Sequence, residues 1–178
     1  MPRGSIPLLR LAYHREQRSS WPHQREGTTM AVIRAAAEIA GTVETVFAAV
    51  ADRRTRLRLL PDNFTHAHLL TPHATGPGAR FAFTIYTDRG AYESVTELIG
   101  YEPPVALVER TTQDDTVYEV HWRFTPLTNG TRVELELHYR PGRGLGERLL
   151  GHFARRALQH SLMVELVRLK QIVEAAPA

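Results

Sequence analysis

The longest helical pattern in the chain lies at its C-terminal end and needs a large partner surface. Residues 146–175 contain no proline and one internal glycine, Gly151. On a helical wheel, apolar side chains share one broad face and charged or polar side chains gather on the opposite face. The apolar face carries Leu149, Leu150, Phe153, Ala157, Val164 and Val167; the polar face carries Arg148, His152, Arg155, Arg156, Gln159, Lys170 and Glu174. Such a helix would be about 45 Å long at 1.5 Å per residue. We therefore expect most of the preceding chain to form the surface that it covers.

Length and composition limit the classes of protein that this chain can belong to. Its 178 residues are a one-domain length, and a body of that size buries enough surface to fold without disulfides or metals. Cysteine is absent, which excludes a thiol nucleophile, a thiolate metal site and a disulfide framework. This composition is compatible with the cytoplasm, which is the location we expect.

The positive charge of the chain is concentrated near its N-terminus. The formal net charge is +3, but residues 1–29 hold five arginines against two acids, so the remaining residues are neutral. The one apolar run in that segment, Ile6 to Leu11, is interrupted by Arg10 and is too short for a signal-peptide core or a membrane span. We expect residues 1–29 to be a disordered extension and residues 30–178 to be one folded domain. A targeting peptide or an arm that contacts nucleic acid is the alternative for the extension.

A first strand and two short helices are predicted after the extension. The run Ala31–Ala40 ends at Gly41-Thr42 and favours a strand. Thr42 then fits the N-cap of a helix over Val43–Ala51, where the apolar residues fall on one face. Asp52 fits the cap of a second helix that runs to Leu60, and the following proline ends it.

From Phe64 the hydrophobic period changes to two, and turn residues recur at regular intervals. Apolar and polar residues alternate most clearly between Tyr118 and Phe124, and Asn129-Gly130 is a strong hairpin signal. The predicted strands are Phe64–Leu70, Arg80–Asp88, Ala91–Tyr101, Val105–Thr112, Thr116–Thr125 and Thr131–Arg140. Alternation of this kind indicates an antiparallel sheet with one solvated face.

The widths of the sheet and the helix do not match, and this mismatch predicts curvature. Strands spaced about 4.8 Å apart give a sheet about 30 Å wide, whereas a helix with its side chains is about 10–12 Å across. One helix can cover such a sheet only if the sheet curls around it. Space left between them would form an apolar internal cavity.

The order of elements resembles a known superfamily. A strand, two short helices, antiparallel strands with a Pro103-Pro104 turn and a long C-terminal helix resemble the START-like, or SRPBCC, superfamily, also called Bet v 1-like or helix-grip. The segments 76–81, GPGARF, and 165–174, ELVRLKQIVE, are similar to its strand-entry loop and its helix end. The resemblance covers residues 31–176 and implies an α+β fold. In it, a curved antiparallel sheet of about seven strands wraps around the long helix, with two short helices after strand one.

The resemblance implies a class of ligand but no single activity. Members of the superfamily carry lipids, sterols, quinones or plant hormones, or act as polyketide cyclases and aromatases. We therefore expect a hydrophobic small molecule, such as a lipid, a quinone or a polyketide-like chain, to be bound between sheet and helix. A cyclase or aromatase that uses the same cavity is the alternative, and a structural protein with a filled core is the third possibility.

The residues expected to line the cavity follow from the alternation of the strands and from the helical wheel. They are Phe83, Tyr92, Tyr118, Val120, Trp122, Phe124, Leu135, Leu137, Phe153, Ala157, His160 and Val164. The inward face of the strand 91–101 is left open, because Val95 and Ile99 compete with the set from Tyr92 to Leu98. His160 could hydrogen-bond a ligand or transfer a proton near neutral pH, or it could be a core histidine satisfied by a neighbour. No catalytic residue is assigned, because no catalytic triad, nucleophile elbow or carboxylate pair can be placed in the cavity.

Three further patterns do not support a cofactor or a macromolecular partner. His66, His68 and His73 lack a nearby carboxylate that would complete a metal site. The glycines of 142–146 do not match a dinucleotide fingerprint, because Glu147 stands where the third glycine belongs. The basic residues of the last helix lack interleaved aromatic residues and fit a solvated face. We expect no metal, no cofactor, no nucleic acid and no stable membrane insertion, and no oligomeric state is assigned.

Overall fold

The computed structural model describes residues 31–87, 90–113, 116–139 and 145–175, with backbone alone for 145–154. These residues form one sheet, two short helices and one long helix. The strands are β1 (Ala31–Ile39), β2 (Phe64–Leu69), β3 (Arg80–Thr87), β4 (Gly90–Glu102), β5 (Ala106–Gln113), β6 (Thr116–Leu127) and β7 (Gly130–Tyr139); the helices are α1 (Val43–Ala51), α2 (Arg53–Leu59) and α3 (Leu145–Glu174). The predicted α+β helix-grip fold is confirmed.

The short helices begin where the sequence predicts their caps. The Thr42 hydroxyl accepts a hydrogen bond from the backbone N–H of Thr45 at 3.3 Å, and the Asp52 carboxylate accepts one from the N–H of Arg54 at 2.9 Å. Each cap satisfies a backbone donor that has no partner inside its helix. Asp52 also ends α1, so the two helices meet at one residue and turn the chain back toward the sheet.

The sheet is antiparallel, with strand order β1-β7-β6-β5-β4-β3-β2. From β2 to β7 each strand pairs with the next one in the chain, and β1 pairs with β7. At the β6–β7 turn, Gly130 has a φ of 144°, and a Cβ there would lie 2.2 Å from the carbonyl oxygen of Ile39. Register shifts occur between Thr65 and His68 in β2 and between Leu98 and Gly100 in β4. Such irregularities bend a strand and increase its twist, which helps the sheet to curl.

The convex face of the sheet is the solvated one. Cross-strand ion pairs cover it, among them Arg34 to Glu136 at 2.7 Å and Arg110 to Glu119 at 2.8 Å. The concave face carries the buried core. There, Phe47 of α1 packs edge-to-face against Tyr101 and Phe124, with ring centroids 5.5 Å and 5.4 Å apart. These contacts hold α1 against one end of the concave face.

Side chains of α3 hold the helix along the edge strand β1. Gln159 donates to the carbonyl oxygen of Arg34 at 3.0 Å, and Lys170 donates to that of Glu38 at 2.8 Å. The Glu174 carboxylate accepts from the N–H of Ala40 at 2.9 Å. Because β1 is the end strand, these polar groups satisfy an edge that no other strand pairs. The residue numbers of these contacts increase together along α3 and β1, so the two elements run in the same direction.

The buried face of α3 differs from the predicted one. Leu162, Leu166, Leu169 and Val173 are buried in the core, whereas Ala157 is exposed. After Ala157, α3 carries two apolar stripes about half a turn apart. The sequence-based prediction took the apolar stripe of the first half of the helix and continued it to the C-terminal end. The leucine stripe packs inward because each leucine buries more apolar area than an alanine or a valine. The predicted face is therefore wrong for this half of α3.

Candidate ligand-binding site

Most of the predicted strand residues lie on the concave face. Those that are buried there are Phe83, Val120, Trp122, Phe124, Leu135 and Leu137. Tyr92 and Tyr118 are half-buried. The inward face of β4, which the sequence left open, is decided by burial. Ser94, Thr96 and Leu98 are buried, whereas Ile99 is exposed. The set from Tyr92 to Leu98 therefore faces inward.

A row of hydroxyl groups crosses the concave face. Thr96 pairs with Thr111, Thr111 with Tyr118, and Tyr118 with Tyr139, so one residue from each of β4 to β7 contributes. We call these four residues the hydroxyl row. The Thr96 and Thr111 hydroxyls are 2.7 Å apart, and the tyrosine rings stack with centroids 6.4 Å apart.

The chemistry of the hydroxyl row is that of neutral donors and acceptors. Burial and the neighbouring Tyr139 phenol raise the pKa of Tyr118, so its hydroxyl remains protonated. Farther along β4 and β5, the Ser94 hydroxyl donates to the Gln113 side chain at 3.4 Å. This part of the concave face can therefore bind a ligand oxygen without placing a charge beside it.

The next row of the concave face contains a buried carboxylate. Glu109 lies two residues before Thr111 on β5, is paired with Leu98 and Val120, and is 1% exposed. Arg56 donates to its two oxygens from Nε at 3.0 and 3.1 Å. Trp122 donates to it at 3.0 Å, and Arg53 donates to it through Nη1. Two guanidinium groups and one indole therefore surround a single carboxylate.

Glu165 of α3 completes the group. Its Oε2 lies 2.9 Å from Arg56 Nη2, outside hydrogen-bond geometry, so the contact is an ion pair without a directed hydrogen bond. We call Arg53, Arg56, Glu109 and Glu165 the ion cluster; their exposed fractions are 0%, 4%, 1% and 5%. The ion cluster joins α2, β5 and α3. Among the described residues, Arg56 Nη1 and Glu165 Oε2 have no hydrogen-bond partner.

The pKa values of the two carboxylates in the ion cluster are shifted in opposite directions. Burial alone would raise the pKa of Glu109, but Arg56 and Arg53 outweigh it and lower that pKa to about 2. Burial raises the pKa of Glu165 to about 7, because the attraction of Arg56 is weaker there and Glu109 repels the charge. Near neutral pH Glu109 is ionised, whereas Glu165 is divided between its two protonation states. The ion cluster then carries one net positive charge when Glu165 is protonated and none when it is ionised.

The helix residues predicted for the cavity lie elsewhere or are not described. Ala157 and His160 are exposed, Val164 is half-buried, and the side chain of Phe153 lies outside the described residues. His160 and Val164 belong instead to a shallow groove on the outer face of α3; its other lining residues are Met163, Val167, Arg168 and Gln171. A second open pocket is lined by Arg80, Val95, Glu97, Arg110 and Thr112. Neither pocket has lining residues from the hydroxyl row or the ion cluster.

Sequence reasoning missed the ion cluster, although part of its signal was readable. Glu109 occupies an inward position of β5, between Leu107 and Thr111. Glu165 stands within the leucine stripe of α3, where a carboxylate needs a partner. Arg53 and Arg56 gave no such signal, because the segment RRTR of α2 has the composition of a surface helix.

Two negative findings apply to the described part of the chain. No group of three or more histidine, aspartate or glutamate side chains in it could hold a metal ion. None of its helices is long and apolar enough to cross a membrane.

Comparisons with known proteins agree with this architecture. The model of the family described as polyketide cyclase / dehydrase and lipid transport matches residues 30–174. A search of curated protein sequences finds no significant match. Among solved structures, the chain is similar to the protein TTHA0849 from Thermus thermophilus, with 21% identity and a TM-score of 0.71 over 83% of this chain and 100% of that one.

Two other solved structures share the fold. A START superfamily protein from Mycobacterium smegmatis is 14% identical, with a TM-score of 0.61 over 80% of this chain and 97% of that one. The di-domain ARO/CYC StfQ of the steffimycin biosynthetic pathway is 19% identical, with a TM-score of 0.62 over 82% of this chain and 51% of that one. Identities this low support the common fold alone.

Proposed function

Because the chain belongs to the polyketide cyclase / dehydrase and lipid transport family, we propose that it binds one hydrophobic small molecule on the concave face of its sheet, beneath α3. The molecule is of the lipid, quinone or polyketide-like class. The observation that carries the proposal is the hydroxyl row, which places four hydroxyl groups side by side on the concave face, between apolar side chains and the ion cluster. A face that served only to pack a core would have no use for them.

The surroundings of the hydroxyl row favour an amphipathic ligand. Phe81 and Phe83 lie on the β3 side of the row, and Leu137 lies one row away on β7. Apolar contacts of this kind bind a hydrocarbon or an aromatic body, whereas the hydroxyls orient its oxygen atoms. A purely aliphatic ligand would make no hydrogen bond to these hydroxyls.

Native mass spectrometry tests the proposal. Purified protein, before and after removal of endogenous lipids, should retain one molecule from a panel of fatty acids, quinones and aromatic polyketides. Thr111→Trp should abolish the adduct by filling the hydroxyl row. The matched control is Thr112→Trp, an exposed neighbour on the same strand that should leave the adduct intact. Equal retention by both variants would place the ligand elsewhere, and no adduct with any class would refute the proposal.

An enzymatic role in the same site, of the cyclase or aromatase type, is the second candidate. The observation that favours it is Glu165, a buried acid with a pKa near neutrality that faces the guanidinium of Arg56. An acid tuned in this way can exchange protons at neutral pH, and the guanidinium can stabilise an enolate oxygen. Turnover of a poly-β-ketone chain, lowered about 10²-fold or more in Glu165→Gln while binding persists, would establish this role. Binding without turnover would leave the carrier role.

A further inference from the structure

We infer that the ion cluster receives the carboxylate of an acidic hydrophobic ligand, and that this carboxylate replaces the negative charge of Glu165. The inference rests on the proposed function, because it concerns one end of the same concave face. It adds a charged subsite to a site described so far by its apolar surface and its hydroxyl row.

The ion cluster lies next to the hydroxyl row. Glu109 and Thr111 are alternate residues of β5 and face the same side of the sheet. Alternate residues of a strand are separated by about 7 Å. A ligand whose body crosses the hydroxyl row in the direction of β5 therefore brings its end group to the edge of the ion cluster.

The ion cluster has hydrogen-bonding capacity that the described residues do not use. Arg56 Nη1 is a buried guanidinium nitrogen that has no acceptor among the described residues, although Nε and Nη2 of the same group contact Glu109 and Glu165. Leaving a charged donor unsatisfied in the interior is costly. An oxygen atom placed beside Nη1 would remove that cost. A carboxylate oxygen fits best, because an ionised acceptor makes a shorter and stronger hydrogen bond to a guanidinium N–H than a neutral acceptor does.

When Glu165 is protonated, one additional anion would balance the charges of the ion cluster. Arg53 and Arg56 together carry two positive charges, and Glu109 balances one of them. Glu165 balances the other only when it is ionised. Among the described residues, the other charged groups that act on the ion cluster are Asp52, next to Arg53, and Arg168, on α3 itself. Asp52 pairs with Arg54 and Arg168 pairs with Asp62, so these two neutral pairs do not change the balance.

The burial of Glu165 makes its own charge easy to replace. Since burial raises the pKa of Glu165 to about 7, its ionised form is weakly held at neutral pH. A ligand carboxylate that enters the ion cluster repels that charge, and Glu165 then takes up a proton from solvent. Binding of an acidic ligand above neutral pH is thus coupled to the uptake of up to one proton. A neutral ligand of the same length gains neither the ion pair nor the proton.

Isothermal titration calorimetry of the full chain with dodecanoate and dodecanol tests this coupling. At pH 7.5, in two buffers of different ionisation enthalpy, dodecanoate should bind at least about tenfold more tightly than dodecanol and take up a measurable fraction of a proton. At pH 5.5 the uptake should vanish, because Glu165 is already protonated. Glu165→Gln should show no uptake, and its affinity for dodecanoate should not fall between pH 6 and 8. Glu97→Gln, which alters a half-exposed carboxylate on β4, is the control and should behave as the wild type.

The possible outcomes separate this inference from the proposed function. Equal affinities for dodecanoate and dodecanol without proton uptake would overturn the inference and leave ligand binding intact; the unused polar atoms would then hold water. Proton uptake that persists in Glu165→Gln would assign the coupling to another group and would also overturn it. No binding of either compound would contradict both proposals for the concave face.

Discussion

The indole N–H of Trp122 on β6 donates a hydrogen bond of 3.0 Å to Oε2 of Glu109 on the neighbouring strand β5. The same tryptophan ring lies 5.3 Å from the Arg56 guanidinium, measured from ring centroid to the guanidinium carbon. Trp122 therefore contacts both signs of charge in the ion cluster while its ring packs in the apolar core. This position connects the charged subsite with the core of the domain.

Stability should depend on pH through Glu165. Its pKa is raised from the usual 4.5 to about 7 in the folded state, so the folded chain holds a proton that the unfolded chain releases between these values. The contribution of Glu165 is fully present below about pH 4.5 and is lost as the pH rises through about 7. The expected loss is about 3 kcal/mol in the free energy of unfolding. Urea unfolding at pH 5 and pH 8 should show a smaller difference in Glu165→Gln, and an unchanged difference would refute this role.

Removal of the Glu109 carboxylate should destabilise the fold strongly. Glu109→Gln leaves Arg53 and Arg56 buried without their shared anion, which should cost about 3–5 kcal/mol. Glu93→Gln, at an exposed position of β4, is the matched control and should change the free energy of unfolding by about 0.5 kcal/mol or less. Chemical denaturation measures both variants. Similar small effects would mean that the ion cluster contributes little to stability.

The two apolar stripes of α3 should differ in their contribution to stability. Leu166 is 1% exposed and packs in the core, so Leu166→Ala should cost about 2–5 kcal/mol. Val164, half-buried in the outer groove, is on the same helix, and Val164→Ala should cost about 1 kcal/mol or less. If the valine variant proves the less stable of the two in guanidinium, the helix packs through its other stripe.

Ligand binding should change the fluorescence of Trp122. The chain has two tryptophans, Trp21 and Trp122, so a Trp21→Phe background isolates the buried one. A carboxylate that enters the ion cluster changes the charge beside the indole, and dodecanoate should therefore shift or quench the emission. Dodecanol should do so less. Identical responses to the two compounds would argue against a charged subsite near Trp122.

Residues 1–29 should be dispensable for folding. They show no helical or strand periodicity, and the sheet begins at Ala31. A chain that starts at Met30 should melt within a few degrees of the full chain and bind the same ligands. A large drop in the melting temperature would show that the N-terminal segment packs on the domain.

Local patterns in the sequence were sufficient to predict the helices and strands, and the resemblance to a known superfamily supplied their arrangement. Strand periodicity, the caps at Thr42 and Asp52 and the Asn129-Gly130 turn depend on residues close together in the chain, and the elements lie within one or two residues of their predicted bounds. The same alternation placed Trp122 and Leu135 on the concave face, where the structure has them. These features are readable because each depends on a local repeat of two or 3.6 residues or on a short cap or turn motif.

Only the tertiary structure decided the face of α3 and the composition of the site. The helix has two apolar stripes, and which of them is buried depends on the sheet it meets, so His160 and Val164 were placed on the wrong side. Arg53 and Arg56 of α2, Glu109 of β5 and Glu165 of α3 come from three separate segments of the chain, and the sequence does not show that these segments meet. Their charges can be buried only because the fold brings them together, since an isolated buried charge is strongly disfavoured and a paired one is tolerated.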